Sequence, residues 1–223
     1  MHRAAAFLAL TRPKFLPLSV IPIVITASIV QMGGSLPVHR LIWCVLGVGL
    51  LHAAGNVVND CYDFCLGADK KNTAGRYSGG SGILPQGLVE VGEAKIFYRY
   101  LLAAALIVAL LLSQDSAWPF VMAIMGVLAA LCYTMPPMKF AYRGLGELLV
   151  AMSFGPGIML GTYYVLTGSF SISVLAVSAV VGALIGGVLI VNEFKDAATD
   201  RTAGKRNLAV RVIDLVARLS AAK

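Results

Sequence analysis

Charge is what this chain has least of. Only 13% of its 223 residues are Asp, Glu, Lys or Arg, while 58% are hydrophobic; an ordinary soluble domain carries about 25% charged residues. That balance argues against an ordinary water-soluble domain. Histidine is scarce, with three residues, and so is cysteine, with four. Cys44, Cys61, Cys65 and Cys132 show no zinc-ligand pattern. Cys61 and Cys65 stand at i, i+4 and would share a helix face, but two thiols without a histidine partner make a poor metal site, and all four read as reduced bystanders. His52, four residues before Asn56, reads as a packed or hydrogen-bonding side chain. No nucleic-acid-binding module is visible, and the net charge of +7 is spread over several segments, which excludes a nucleic-acid partner.

Long hydrophobic runs are abundant. Stretches of about 17–25 apolar residues cross a bilayer as helices, and six are read here: Phe15–Met32, Leu41–Val58, Ile96–Leu112, Trp118–Met135, Leu148–Leu166 and Ile172–Val191. The fold expected is an all-α, polytopic transmembrane helix bundle forming one membrane-embedded domain over residues 1–223. The many Gly, Ala and Ser residues suit close helix packing in lipid. A secretory signal peptide is not indicated, because Arg12, Pro13 and Lys14 precede a full-length span with no cleavage site after it.

Six spans place both termini on one side. Of the 18 Lys and Arg residues, Arg40 alone falls in a segment on the opposite side. The positive-inside rule makes the basic segments cytoplasmic, so the expectation is a multi-pass protein of the cell (inner) membrane with both termini in the cytoplasm.

The few acids are gathered. Asn59-Asp60-x-x-Asp63-x5-Asp69 and Asn192-Glu193-x-x-Asp196-x3-Asp200 hold six of the eleven carboxylates. A single Asp at the centre of a membrane helix costs about 2.5–3.5 kcal/mol, so the clusters mark a site. Asn192, Asp196 and Asp200 follow i, i+4, i+8 and share a helix face at the end of the sixth span. Like charges at that spacing repel, which is uphill unless a cation lies between them. Asn56, Asn59, Asp60 and Asp63 follow a similar face, and Gly67 marks a helix end before Asp69. Hard oxygen ligands without His or Cys select Mg²⁺, which completes its shell with water and phosphate. The plainer alternative is a pair of solvated helix ends carrying routine acids.

Between the clusters, Lys70-Lys71-Asn72-Thr73-Ala74-Gly75-Arg76-Tyr77-Ser78-Gly79-Gly80-Ser81-Gly82 combines cations with glycines whose backbone N–H groups can approach an anion closely. Lys205 and Arg206 follow the second cluster, and Lys139 and Arg143 lie in the next basic loop. Acids that hold Mg²⁺ beside Lys and Arg form a clamp for a diphosphate. The mouth of the active site is accordingly expected on the cytoplasmic side.

Asn59-Asp60-Cys61-Tyr62-Asp63-Phe64 and Asn192-Glu193-Phe194-Lys195-Asp196-Ala197-Ala198-Thr199-Asp200-Arg201-Thr202-Ala203-Gly204-Lys205-Arg206-Asn207-Leu208-Ala209-Val210-Arg211 resemble the two aspartate-rich motifs of the UbiA-type intramembrane prenyltransferases. Arg12-Pro13-Lys14, the Gly79–Gly87 loop, Tyr142-Arg143-Gly144-Leu145-Gly146-Glu147 and Gly161-Thr162-Tyr163-Tyr164 extend the likeness, most closely to the branch that prenylates 1,4-dihydroxy-2-naphthoate in menaquinone and phylloquinone synthesis. The resemblance implies that Asn59, Asp60, Asp63, Asp69, Asn192, Asp196 and Asp200 hold Mg²⁺ bridged to a polyprenyl diphosphate. Lys70, Arg76, Lys205 and Arg206 would then bind the diphosphate, and Asp63, Asp196, Lys205 and Arg143 would carry catalysis. It also implies transfer of the prenyl group to an aromatic acceptor, and loss of the naphthoate carboxylate as CO₂.

Members of that family have about nine membrane helices of the usual length, against six read here, so the chain is expected to be short at its C-terminus. Its tail sets Leu208, Val212, Leu215 and Leu219 on one face and Arg211, Asp214 and Arg218 on another, an amphipathic helix suited to lie on a membrane. Assembly into homo-oligomers is left open. The competing reading is a cation-coupled membrane transporter, since intramembrane acids also serve carriers. Another aromatic or lipid acceptor within the same family is the other alternative.

Overall fold

In a computed structural model describing residues 2–68 and 80–221, helices begin and end where the sequence punctuates them. A short α1 (Arg3–Leu10) and a turn of 3₁₀ helix lead into α2 (Pro17–Gly33), which opens on proline and ends at Gly34. α3 (Val38–Leu66) follows Pro37 and stops at Gly67, whose φ of 94° is the left-handed conformation that closes a helix without a Cβ clash. α4 (Val91–Leu111) starts where the Glu90 N–H donates to Glu93 Oε2 at 3.1 Å. α5 (Trp118–Thr134) carries proline at its second residue and ends just before Pro136 and Pro137. α6 (Gly146–Met152) runs through a widened π turn at Ser153–Gly157, which carries Pro156, into α7 (Ile158–Thr167). α8 (Ile172–Thr202) is capped by the Ser171 hydroxyl, and α9 (Leu208–Ala221) closes the described chain.

The all-helical bundle expected from the sequence is what forms, and the chain is a multi-pass membrane protein. Four helical units are long and apolar enough to cross a bilayer: Val38–Leu66, Val91–Leu111, Gly146–Thr167 and Ile172–Thr202. A fifth arises if Arg3–Phe15 and Pro17–Gly33, bent by 51°, count as one broken span. The sixth segment, Trp118–Thr134, is a 17-residue apolar helix, at the lower limit for crossing about 30 Å of hydrocarbon. Each of the six apolar runs thus became a helix; the count differs because prolines shorten α5 and bend the entry to α2. The perimeter is oily, with Ile107, Leu110, Val180 and Leu184 all exposed, as lipid-facing positions require.

Two helices are longer than a membrane is thick. α3 has 29 residues and α8 has 31, about 45 Å each at 1.5 Å per residue. Their last turns run beyond their apolar parts and carry the acids. The α6–α7 unit is pressed against α8 through glycine: a Cβ on Gly155 would lie 2.3 Å from the Ser178 carbonyl oxygen, and one on Gly182 would lie 2.3 Å from that of Ala151. This contact sets the lateral position of α8, and with it the place where its acidic end emerges.

The bundle has two distinct ends. At one, Arg3 pairs with Glu93, Arg12 with Asp60, and Lys205 with Asp63 and Asp200. At the other, Arg40 Nη2 meets Asp115 Oδ2 at 2.8 Å and Arg40 Nη1 donates to the Val165 carbonyl at 3.2 Å. The segregation of basic residues read from sequence is therefore a segregation in space. The amphipathic α9 lies at the first end with Leu215, Val216 and Leu219 exposed.

Two outcomes follow from this packing. Gly182→Leu forces α6 and α8 apart and lowers stability by about 1–3 kcal/mol, read as a lowered melting temperature in detergent against Gly187→Leu, where a Cβ meets nothing within 4 Å. In a background without the native cysteines, single cysteines at Ser35 and Ser169 react with an impermeant label from one face of the membrane, and those at Ser81 and Thr202 from the other. Labelling of Ser81 and Ser35 from the same face would break the two-ended arrangement.

Candidate functional site

The first acidic cluster is built on the last two turns of α3. Asp60 is buried and faces the N-terminal segment, where the Arg12 guanidinium pairs with it and the Ser81 N–H donates to its two oxygens at 3.4 and 3.3 Å. Arg12 sits at φ 51°, a left-handed conformation uncommon for a side-chain-bearing residue, and reaches Asn59 Oδ1 at 3.0 Å with the same nitrogen. Asn59 in turn donates to Thr134 Oγ1 at 2.9 Å and to Asp63 Oδ2 at 3.0 Å. Its amide is thus engaged on all sides, one of its bonds falling on Asp63. The Tyr142 hydroxyl donates to the other oxygen, Asp63 Oδ1, at 2.8 Å.

The second cluster arrives on α8. Asn192, Asp196 and Asp200 lie along one continuous helix as their spacing requires, with Asp200 buried and Asn192 and Asp196 half-buried. After Gly204, in a left-handed turn at φ 76°, the chain doubles back as a short strap. Lys205 there extends its ammonium between the two clusters, 3.4 Å from Asp63 Oδ2 and 3.6 Å from Asp200 Oδ1. Its Nζ also lies 5.5 Å from the centre of the Tyr142 ring, within cation–π range. Asn207 Nδ2 donates to Asp200 Oδ2 at 2.8 Å while its Oδ1 caps α9 by accepting from the Val210 N–H at 3.0 Å.

Burial opposes the charge on Lys205, but Asp63 first and Asp200 next hold its ammonium well above the ordinary lysine value. The Tyr142 phenol is pushed up by burial and then by the charge and hydrogen bond of Asp63, so it stays a donor. The result is a buried cation flanked by two carboxylates from helices far apart in sequence, a place of high field beside an apolar bundle. Among the described residues no three His, Cys, Asp or Glu side chains converge into a ready-made metal cage. The donors are oxygens, and Mg²⁺ is typically held through one or two carboxylates with water and substrate phosphate supplying the rest. The residues present fit that ion and do not fit a structural zinc.

Residues 19–222 match the UbiA prenyltransferase family. The chain belongs to that family. It is 28% identical over 223 residues to a protein of Escherichia coli K12 named 1,4-dihydroxy-2-naphthoate octaprenyltransferase, covering 98% of this chain and 72% of that one. It is equally 28% identical over 212 residues to UbiA prenyltransferase domain-containing protein 1 of Xenopus tropicalis, covering 95% of this chain but only 61% of that protein. Among solved structures, a UbiA homolog from Archaeoglobus fulgidus bound to DMAPP and Mg²⁺ shares the fold with a TM-score of 0.71 at 18% identity, over 96% of this chain and 74% of that one. Membership makes this an enzyme family of prenyl-transferring type.

Within this UbiA-family chain the site residues read from sequence divide into four groups. Asp63, Asp200 and Lys205 are brought together directly, and Asn59 and Asp196 lie within a helical turn of them on α3 and α8. Asp60 is at the same end but spent on Arg12 and Ser81. Two of the cations point elsewhere: Arg143 Nη2 donates to the Pro137 carbonyl at 2.8 Å, and Arg206 Nη1 meets Asp214 Oδ2 at 3.3 Å on the exposed side of α9. Asp69, Lys70 and Arg76 lie outside the described residues.

His52 is the packed residue expected, with Nδ1 2.8 Å from Ser19 Oγ and its ring edge-on to Phe154, and the four cysteines are unbridged. Tyr142, Arg12, Thr134 and Asn207 were not read as site residues. A tyrosine in a basic loop has no spacing signal, and Arg12 stands 48 positions from Asp60. Asn207 did carry one: an Asn directly before an apolar helical run is an N-cap signature.

Because Arg12 and Asp60 are both buried, Arg12→Ala strands a carboxylate and costs about 3–5 kcal/mol. Replacing both residues with apolar ones, Arg12→Met with Asp60→Leu, restores most of the loss. Melting curves of the two variants in one detergent check it; equal stability of Arg12→Ala and the parent would remove the anchoring role.

Proposed function

We propose that this chain transfers a polyprenyl group from an isoprenyl diphosphate to an aromatic acceptor, with 1,4-dihydroxy-2-naphthoate as that acceptor and Mg²⁺ as cofactor. The observation that carries the reading is the convergence of Asp63 and Asp200, from the two acidic motifs, on the buried ammonium of Lys205. The names of the octaprenyltransferase relatives support the naphthoate acceptor, and the DMAPP and Mg²⁺ bound by the Archaeoglobus fulgidus homolog support the donor and the ion. The equal likeness to UbiA prenyltransferase domain-containing protein 1 keeps a second acceptor class in view.

In this reading Asp63, Asn192, Asp196 and Asp200 hold Mg²⁺, while Asn59 and Asp60, whose groups are already bonded, orient Asp63 and anchor the N-terminal segment. When bound, Mg²⁺ offsets the negative charge that grows on the diphosphate as it departs. Lys205 adds a fixed positive charge to the same oxygens. Tyr142 keeps Asp63 turned toward them by holding its outer oxygen. The allylic C–O bond breaks with its electron pair leaving on the diphosphate, and the naphthoate ring carbon that bears the carboxylate bonds the allylic carbon, the carboxylate then leaving as CO₂ and returning its bonding pair to the ring. The apolar helices accept the prenyl tail and keep water from the carbocation. The mouth faces the cytoplasm, since the basic residues gather at the acidic end and Arg40 lies at the other.

Membranes carrying the chain, given a labelled polyprenyl diphosphate and a panel of aromatic acceptors, yield a prenylated product identified by mass. Chelation removes the activity and Mg²⁺ restores it. Asp63→Ala and Asp200→Ala each lower turnover about 10²–10³-fold, the usual cost of losing one strong contact to a developing anion, with membrane insertion unchanged. Near-normal turnover by either variant would defeat the site assignment, whereas product formed only from other acceptors would defeat the naphthoate alone.

A further inference from the structure

Four consecutive residues pin the strap that carries Lys205. The Lys205 N–H donates to the Asp200 carbonyl at 2.9 Å, and the Arg206 N–H to the Tyr142 carbonyl at 3.1 Å. Asn207 Nδ2 bonds Asp200 Oδ2 at 2.8 Å, and the Leu208 N–H donates to Glu147 Oε1 at 2.6 Å. The two bonds to Asp200 tie the strap to α8, the helix it leaves, and move with it. The other two cross to the 142–147 segment, and the Arg211 side chain also bridges to it, donating from Nε to the Arg206 carbonyl at 3.0 Å and from Nη2 to the Arg143 carbonyl at 2.6 Å; Glu147 is the residue of that segment whose side chain takes a bond from the 205–208 backbone.

Glu147 is 4% exposed and stands in the first turn of α6. Leu208 is the first residue of α9, so its N–H is one of those a helix leaves without an internal partner. The carboxylate therefore lies at the positive ends of two helices at once, where negative charge is favoured. It has a cost too: the buried Glu193 carboxyl lies beside it, and two buried acids side by side are a poor way to fill space. Well-packed hydrophobic residues of similar volume are often as stable or more so. The bond to Leu208 is what an apolar residue would not supply. Its consequence is that Lys205, three residues upstream, is fixed relative to Tyr142 and Asp63 as well as to its own helix.

We propose that Glu147 is a positioning residue for prenyl transfer: by holding the start of α9 against α6, it keeps the Lys205 ammonium between Asp63 and Asp200. This rests on the reading of Lys205 as a diphosphate contact. The test is pulse acylation of lysines and pulse alkylation of cysteines on the purified chain in detergent, with peptide masses giving the extent at each site. In the parent, Lys205 is protected relative to Lys139 and Lys195, and the fully buried Cys61 is unreactive. In Glu147→Leu, Lys205 acylation rises on the order of tenfold, as expected for local opening, while Cys61 stays protected. Glu147→Gln keeps an oxygen for the Leu208 N–H and restores the protection.

Unchanged Lys205 protection in Glu147→Leu overturns the proposal, and so does exposure of Lys205 and Cys61 together, because Glu147 would then support the whole fold. Prenyl transfer measured on the same variants separates the two levels. Transfer by Glu147→Leu at the parent's kcat, with Lys205 exposed, overturns the positioning role alone; a fall in kcat recovered by Glu147→Gln supports it. Absence of transfer by the parent defeats the functional reading beneath it, whatever the labelling shows.

Discussion

Three charges in one place, the ammonium of Lys205 and the carboxylates of Asp63 and Asp200, govern the geometry of this protein. Each alone would be expensive where it sits. Asp63 ends an apolar helix, Asp200 ends another, and Lys205 is 9% exposed. The two carboxylates hold the Lys205 ammonium in its charged form, and the contact ties the end of α3 to the end of α8. The neighbours serve that contact: Asn59 and Tyr142 take the remaining valences of Asp63, and Asn207 takes that of Asp200. The pair of motifs is thus a clamp with its cation built in.

A clamp needs a rigid frame, and the frame is made of small residues. Gly155 and Gly182 let α6 and the π turn after it approach α8 to backbone contact. In lipid there is no hydrophobic gain from pressing one apolar helix on another, so close van der Waals packing decides helix position. A displacement of α8 by one methyl group would be carried along a rigid 31-residue helix to its acidic end. Glycine at the middle of the bundle and aspartate at its mouth are therefore parts of one mechanism. The Arg12–Asp60 pair and the Ser81 backbone fix the other side of the mouth in the same way.

Family membership accords with this architecture without deciding its chemistry in full. The relatives named for naphthoate prenylation, at 24–29% identity, and those named only for their domain, at 26–28%, are similarly related to this chain. The acidic end, where Asp63 and Asp200 meet Lys205, is the part of the architecture that the proposed diphosphate chemistry would use.

Sequence alone determined that this is a membrane helix bundle, where its helices lie, and which residues carry its scarce acids, because those follow from composition, span length and i, i+4 spacing within single helices. The helical face of Asn192, Asp196 and Asp200 and the Gly67 stop were legible for that reason, as was the segregation of basic residues. What only tertiary structure decided is which acid meets which cation. Asp60 and Asp63 are three residues apart on one helix, yet one is paired with Arg12 from the N-terminus and the other with Lys205 from the C-terminal strap. Arg143 and Arg206 look as suited to an anion as Lys205 does, and both turn instead to Pro137 and Asp214. The physical reason is that an ion pair depends on distance through space, and distances between helices are set by packing of side chains hundreds of atoms away from the charges. No spacing along one chain segment records them.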